Sequence, residues 1–274
     1  MIPACGRIRE RIKPGINPLI TDQLQHLQFS TLSLTSGQEV TLDTGEREFA
    51  AVLIHGQCEI EVAGEGRYTL GPRENPFEHG PYAYFATREN RLVFRGSQPS
   101  LIGIGSAPAQ QAYPNSYVTP DMVSTVERGA DNWTRTVRMI CWSTNTAGNM
   151  LLAGETCTPS GNWSTIPPHR HQFDIENEEA PYEEVYFFRF SRPQGFGLTW
   201  QFDDDNMLDQ AFSLQPNDVL YMAGGYHPVV CAPGGTLYHL SLMAGPKRIS
   251  KARVHQDYRF LLEQQQLPNQ YTPQ

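Results

Sequence analysis

The chain has 274 residues, with 21 Lys and Arg against 29 Asp and Glu, a formal net charge of −8 and a pI near 5.5. That balance, with no Lys/Arg run, excludes a protein whose main task is gripping a nucleic-acid backbone. No stretch approaches the ~20 apolar residues a membrane helix needs. Charged residues at 18%, with 23 Gly and 21 Pro, fit a turn-rich β protein better than a helical bundle.

The first fifteen residues, MIPACGRIRERIKPG, carry charge with no apolar stretch behind it, which is not a secretory signal. Residues 1–25 hold Pro3, Pro14 and Pro18 without an amphipathic period and read as an arm or a strand-swapping segment. From residue 26 short β-like runs alternate with turn residues. They are FSTLSL (29–34), EVTL (39–42), FAAVLIHG (49–56), CEIEVAG (58–64), YTLG (68–71), AYFA (83–86), RLVF (91–94) and LIGIG (101–105). Runs spaced by roughly 8–12 residues with turn signals between them predict a β-sandwich or barrel. Residues 106–135 are poorer in such runs and carry Pro108, Pro114, Pro120, Gly129 and Asn132, which places a boundary near 125.

A second series follows. It comprises TVRMICW (136–142), MLLAGETC (150–157), EEVYFFRF (183–190), FGLTWQF (196–202), AFSL (211–214), VLYMAG (219–224), HPVVCA (227–232) and LYHLSLMAG (237–245). FLLEQQQ (260–266) suits a short helix in the tail, 251–274. The two series look like weak internal repeats, so a duplicated β-barrel is the economical expectation: 26–124 and 125–250. Cys5, Cys58, Cys141, Cys157 and Cys231 are odd in number and scattered, with no C-x-x-C pair. They predict neither a disulfide framework nor a thiolate zinc site, and a reducing, cytoplasmic setting.

Chemistry concentrates in the second half. His169 and His171 form an H-x-H pair, and in a strand such residues project to one face about 6–7 Å apart. Pro167-Pro168 ahead favours extended backbone, and Arg170 between them points away. Glu184 opens the next strand, and Gly224-Gly225 makes a turn that aims His227 inward. A lone surface H-x-H is common and inert. Three imidazoles and a carboxylate together make a mixed N/O site for Zn²⁺, Fe²⁺, Mn²⁺ or Ni²⁺ with positions left for substrate oxygens.

The order H-x-H, E, G-x-x-H resembles the metal pattern of the cupin superfamily. The match departs from the usual motif: an acidic insert, QFDIENEEAPYE, lengthens the loop, Ser191 stands where Gly is usual, and Met222 where Pro is usual. PPHRH, EEVYFFRF, PQGFGL, DDDNMLDQAF, GGYHPVV and LYHLSLMAGPKR together look like the 5-deoxyglucuronate isomerase family of myo-inositol catabolism, sister to the 5-keto-4-deoxyuronate isomerases. The resemblance is strong over about 125–250 and weak before it. It implies an all-β bicupin, two jelly-roll barrels in tandem, and one divalent metal per chain, Zn, Mn or Fe, held by His169, His171, Glu184 and His227. Glu184 is favoured over Glu183 by the family's placement before Val-Tyr and by parity with Tyr186 and Phe188. Asp174, Glu176, Glu178 and Glu179 of the insert remain open as alternatives.

In the first half Asn90 stands at the place of His227, no H-x-H exists, and His55 and His79 read as structural. The resemblance implies aldose–ketose isomerisation of a sugar acid, 5-deoxy-D-glucuronate to 2-deoxy-5-keto-D-gluconate, by a homo-oligomer with no nucleic-acid or membrane partner. Tyr186 and Tyr226 are the candidate acid/base or oxygen-positioning groups. Lys247 and Arg248, after the MAGP turn, are the candidates for the substrate carboxylate, since parity sends Arg170 and Arg189 outward. Phe196, Leu198, Trp200 and Phe202, alternating along one strand, read as lining rather than substrate contacts. The competing readings are a bicupin Fe²⁺ dioxygenase, marked by oxygen consumption, and a non-catalytic sugar-binding cupin, which needs no complete ligand set.

Overall fold

Period-two patterning, apolar inward and polar outward, makes strands of nearly every run singled out above. The structure, a computed structural model, describes residues 3–142 and 148–264. FSTLSL lies in Gln28–Leu34, AYFA is Ala83–Ala86, EEVYFFRF is Glu183–Phe190, and LYHLSLMAG is Leu237–Ala244 with its last glycine outside. FAAVLIHG and CEIEVAG, expected as two strands, are one continuous strand, Arg47–Val62, with a register shift at Gly56/Cys58. Its first part pairs with Ala83–Ala86 and its last part with Gly66–Arg73 and Arg91–Gly96. The tail helix is Phe260–Gln264; the end of FLLEQQQ lies outside the described residues.

A nine-stranded sheet carries the first half, and seven-, four- and two-stranded sheets carry the second. The seven strands run in the order Cys5–Ile8, Val219–Met222, Glu183–Phe190, Leu237–Ala244, Leu151–Thr158, Arg135–Cys141, Ser124–Arg128. The expected class, all-β, is what these pairings make. Among the described residues they form open sheets rather than the closed barrels expected. The segment 1–25, expected as an arm or a strand-swapping segment, pairs with strands of both halves. Cys5–Ile8 pairs with Val219–Met222 in the second half, while Gly15–Ile20 pairs with Gln28–Leu34 in the first.

Among the described residues the three largest apolar clusters hold the molecule together. Leu53, Ile60, Tyr84 and Phe94 fill the first half. Tyr186, Phe188, Leu220, Val229 and Leu237 fill the second, between its seven- and four-stranded sheets. The third layer joins the halves: Phe29, Val52 and Ile54 meet Val185, Phe187, Leu240 and Leu242. Phe187 and Phe188 are adjacent and both 0% exposed because the sheet is covered on both faces. Each such side chain contributes about 1.5–3 kcal/mol by leaving water. The five cysteines are all free thiols. Among the described residues no helix is long and apolar enough to cross a membrane.

Candidate metal centre

The central strand Glu183–Phe190 sorts its two acids by parity. Glu184 faces inward with Tyr186 and Phe188, opposite Met222 and Met243. Glu183 faces the other half and accepts backbone N–H bonds from Gln25, His26 and Leu27 at 2.6, 2.7 and 2.9 Å. The short strand His169–Arg170 pairs with Arg253–Val254, so the last strand among the described residues braces the H-x-H pair. His227 follows the turn at Gly225, whose φ of 76° lies where an L side chain is strained. Residues from three strand ends thus converge inside the second half.

His171 Nε2 lies 2.8 Å from Glu184 Oε2, and His227 Nε2 lies 3.3 Å from the same oxygen. The ligand atoms of His171, Glu184 and His227 fall within 4.8 Å of one another, and all three residues are buried. The His169 ring stands 5.6 Å from that of His227, at the edge of this cluster.

These residues fit a divalent ion. Each histidine anchors Nδ1 on a backbone carbonyl: His169 on Pro167 at 3.0 Å, His171 on Tyr182 at 2.9 Å, His227 on Gly225 at 3.0 Å. That bond fixes the Nδ1–H tautomer and turns the Nε2 lone pair inward, the arrangement metal-ligating imidazoles adopt. His227 Nε2 is buried 3.3 Å from Glu184 Oε2; with the proton on Nδ1, two acceptors face one another there, a cost a metal ion between them would remove. Ser241 Oγ donates to Glu184 Oε1 and fixes its carboxylate.

Burial opposes charge on Glu184, but the imidazoles of His171 and His227 against it outweigh that and hold the carboxyl well below its usual range. Burial, with His227 and His171 nearby, pushes His169 down to about 3, so it stays neutral. His171 is raised: burial works against its charge, and the bond to Glu184 prevails.

Beside this cluster lies a cavity of about 180 Å³ lined by His169, His171, Glu184, Tyr186, His239 and Arg135, among others. Tyr186 faces it, its hydroxyl 3.4 Å from Thr165 Oγ1 and its ring 4.3 Å from that of His239. Tyr226 does not line the cavity; its hydroxyl donates to Asp204 at 3.0 Å and its ring stacks on Phe202. Lys247 and Arg248 are also elsewhere. Lys247 makes an exposed ion pair with Asp174 at 2.7 Å, and Arg248 donates to the carbonyls of Leu151 and Trp142.

Arg170 points away from the cavity, as parity predicts, and holds Glu179 and Asp204. Glu179 accepts from the backbone N–H of Gln172 and Phe173 and so folds the acidic insert on itself. Arg189 donates to Asn217. Phe196, Leu198 and Trp200 are exposed on the outer face, and Phe202 is buried.

His239 and Arg135 escaped the sequence reading. The alternation of LYHLSLMAG places His239 on the face of Ser241, which was a usable signal. In the first half Asn90 Nδ2 donates to the carbonyls of Thr87 and Arg88. Among the described residues the His/Glu cluster lies in the second half alone.

Residues 12–261 match the model of the KduI/IolB family. The 5-deoxy-glucuronate isomerase of Geobacillus thermodenitrificans is 30% identical over 240 residues, 87% of each chain. An IolB-like protein from Salmonella typhimurium superposes with a TM-score of 0.89 at 28% identity, covering 93% of this chain and 98% of that one. Oxalate decarboxylase of Lactobacillus farciminis, at 11% identity and a TM-score of 0.64 over 97% of this chain and 96% of its own, shares the fold. With most of its length matched by the family model and by these relatives, the chain belongs to the KduI/IolB family.

Proposed function

We propose that the chain is a metal-dependent isomerase converting 5-deoxy-D-glucuronate to 2-deoxy-5-keto-D-gluconate. The coarser statement, an isomerase of inositol catabolism, follows from the family and its 5-deoxy-glucuronate isomerases. The observation that carries the finer reading is the convergence of His171, Glu184 and His227 within 4.8 Å, beside a cavity of small-metabolite size. We also read the two halves as two cupin jelly rolls with one metal site, supported by the fold shared with oxalate decarboxylase. A cytoplasmic setting belongs to the same reading, supported by the five free thiols.

In this conversion C2 loses a proton, C1 gains one, and the carbonyl moves from C1 to C2 without net redox change. His169, His171, Glu184 and His227 would hold a divalent ion, which when bound would supply Lewis-acid chemistry. The chain's own residues orient the sugar and move the proton. Tyr186, facing the cavity beside Thr165 and His239, is assigned to hold a substrate oxygen or pass the proton between C1 and C2.

Metal analysis together with NMR of the uronate after loading with Mn²⁺, Fe²⁺ or Zn²⁺ tests this directly. Isomerisation by the loaded protein and its loss with the chelated protein are expected. No turnover with any of the three ions would end the isomerase reading. His171→Ala and His227→Ala are each expected to lower metal affinity at least tenfold, and unchanged metal content would remove the site assignment.

A further inference from the structure

The cavity has a second polar end, formed by a cross-strand pair of arginines. Arg128 and Arg135 are directly opposite one another in the antiparallel pairing of Ser124–Arg128 with Arg135–Cys141, and both line the cavity. Directly opposed residues share a face, and like charges placed so repel. Such a pair is tolerated where an anion sits between the two guanidinium groups. Arg128 forms no ion pair among the described residues.

Arg135 is held in place before any ligand arrives. It is 5% exposed, donates Nη1 to the Trp133 carbonyl at 3.2 Å, and stands 5.6 Å over the Trp133 ring. Gly129 lies against it: a Cβ there would sit 2.7 Å from Arg135 Nη1. A guanidinium fixed in this way loses little freedom on binding a planar carboxylate.

Strand register sets the order of residues between the two ends. His239 pairs with Phe188 and Thr156, and Thr156 pairs with Val137, two residues from Arg135 on the same face. Glu184 lies four residues from Phe188 along its strand, also on this face. His239 therefore stands between the metal ligands and the arginines, and its buried Nδ1 has no partner. Besides Glu184 at the histidine end, the lining holds the acid Glu155, which has both oxygens engaged by Arg73 at 2.7 and 2.8 Å and is on the opposite face of its strand. A six-carbon uronate has its anion at the far end from the carbons that react.

We propose that Arg135, with Arg128 opposite, binds the carboxylate of the substrate and selects sugars carrying an anion at the end remote from the reacting carbonyl. This rests on the isomerase reading and places the carboxylate at Arg135 rather than at Lys247 or Arg248. Arg135 and Arg128 orient the sugar; the reacting atoms lie at the histidine end.

The test compares 5-deoxy-D-glucuronate with its C6 alcohol, 5-deoxy-D-glucose, on the metal-loaded full chain. Arg135→Gln is expected to lower the acid-over-alcohol preference about 100-fold, mainly through the acid's KM rather than kcat. Arg135→Lys is expected to recover part of it, because a single ammonium keeps charge without the planar fork. Preference within about threefold of the unaltered protein in both Arg135→Gln and Arg128→Gln would overturn the proposal. Should Arg135→Gln fail to fold, Arg128→Gln and Arg135→Lys carry the same comparison. If the unaltered protein turns over neither sugar, the isomerase reading falls, and calorimetry with the same two compounds still decides. An acid preference lost on changing Arg135 keeps the anion site, and absence of any preference removes it.

Discussion

His239 shows what a buried imidazole costs in acid. Burial pushes it down to about 3, against 6.5 for the free group, so the unfolded chain takes up its proton first. A depressed folded pKa means the stability is complete above 6.5 and falls as the pH drops below it, by about 1.4 kcal/mol per unit until about 3. His169 adds a second proton over the same window. His171, raised, acts in the opposite sense and only above 6.5. Urea unfolding of the metal-free protein between pH 7 and 5 is expected to show His239→Asn taking up about one proton fewer than the parent; equal uptake would contradict a neutral His239. The clustering of the histidines with Glu184 was legible because H-x-H and G-G-x-H fix side-chain direction within a few residues. Arg135 was not, because its place in the cavity depends on cross-strand register with Arg128, which no local spacing reveals. Lys247 and Arg248 lie away from the cavity, and their place was not legible because they follow the last residue of Leu237–Ala244, beyond the reach of strand parity.

Strands were legible because alternation and turn residues mark them locally, yet their use of both faces was not. EEVYFFRF reads equally well as half-exposed or as covered twice, and only the contact of Phe29 with Phe187, centroids 5.8 Å apart, decides it. The strand ends are tied by an exchange of carboxylates. Glu183 of the second half accepts three backbone N–H groups of residues 25–27. Glu48 of the first half accepts the N–H groups of Asn149, Met150 and Leu151 and the Tyr113 hydroxyl. Charge-assisted bonds of this kind matter because an amide group in place of the carboxylate turns donors toward donors. Glu48→Gln is therefore expected to cost about 3 kcal/mol and to speed amide exchange at residues 149–151. An unfolding free energy within about 0.5 kcal/mol of the parent in urea would show that the clamp contributes nothing.

At the scale of the whole molecule, the layer between the halves decides whether either can stand alone. Phe187, Leu240 and Leu242 are 0% exposed only because the first half covers them. Arg73 of the first half and Glu155 of the second are likewise 0% exposed and paired at 2.7 Å, with Tyr238 donating to the same carboxylate. Breaking such a pair from one side leaves a buried charge, so Arg73→Met is expected to cost about 3–5 kcal/mol, and adding Glu155→Leu to restore part of it. The same geometry bears on the duplication inferred from the sequence. Two copies suggest two independent units, but the second lacks an edge strand without Cys5–Ile8 and exposes an apolar sheet face without the first. A fragment beginning at Ser124 is thus expected to bind apolar dye and to aggregate, while the full chain unfolds in one cooperative transition. A monomeric fragment with dispersed NMR signals and its own sharp unfolding transition would show instead that the shared layer is dispensable.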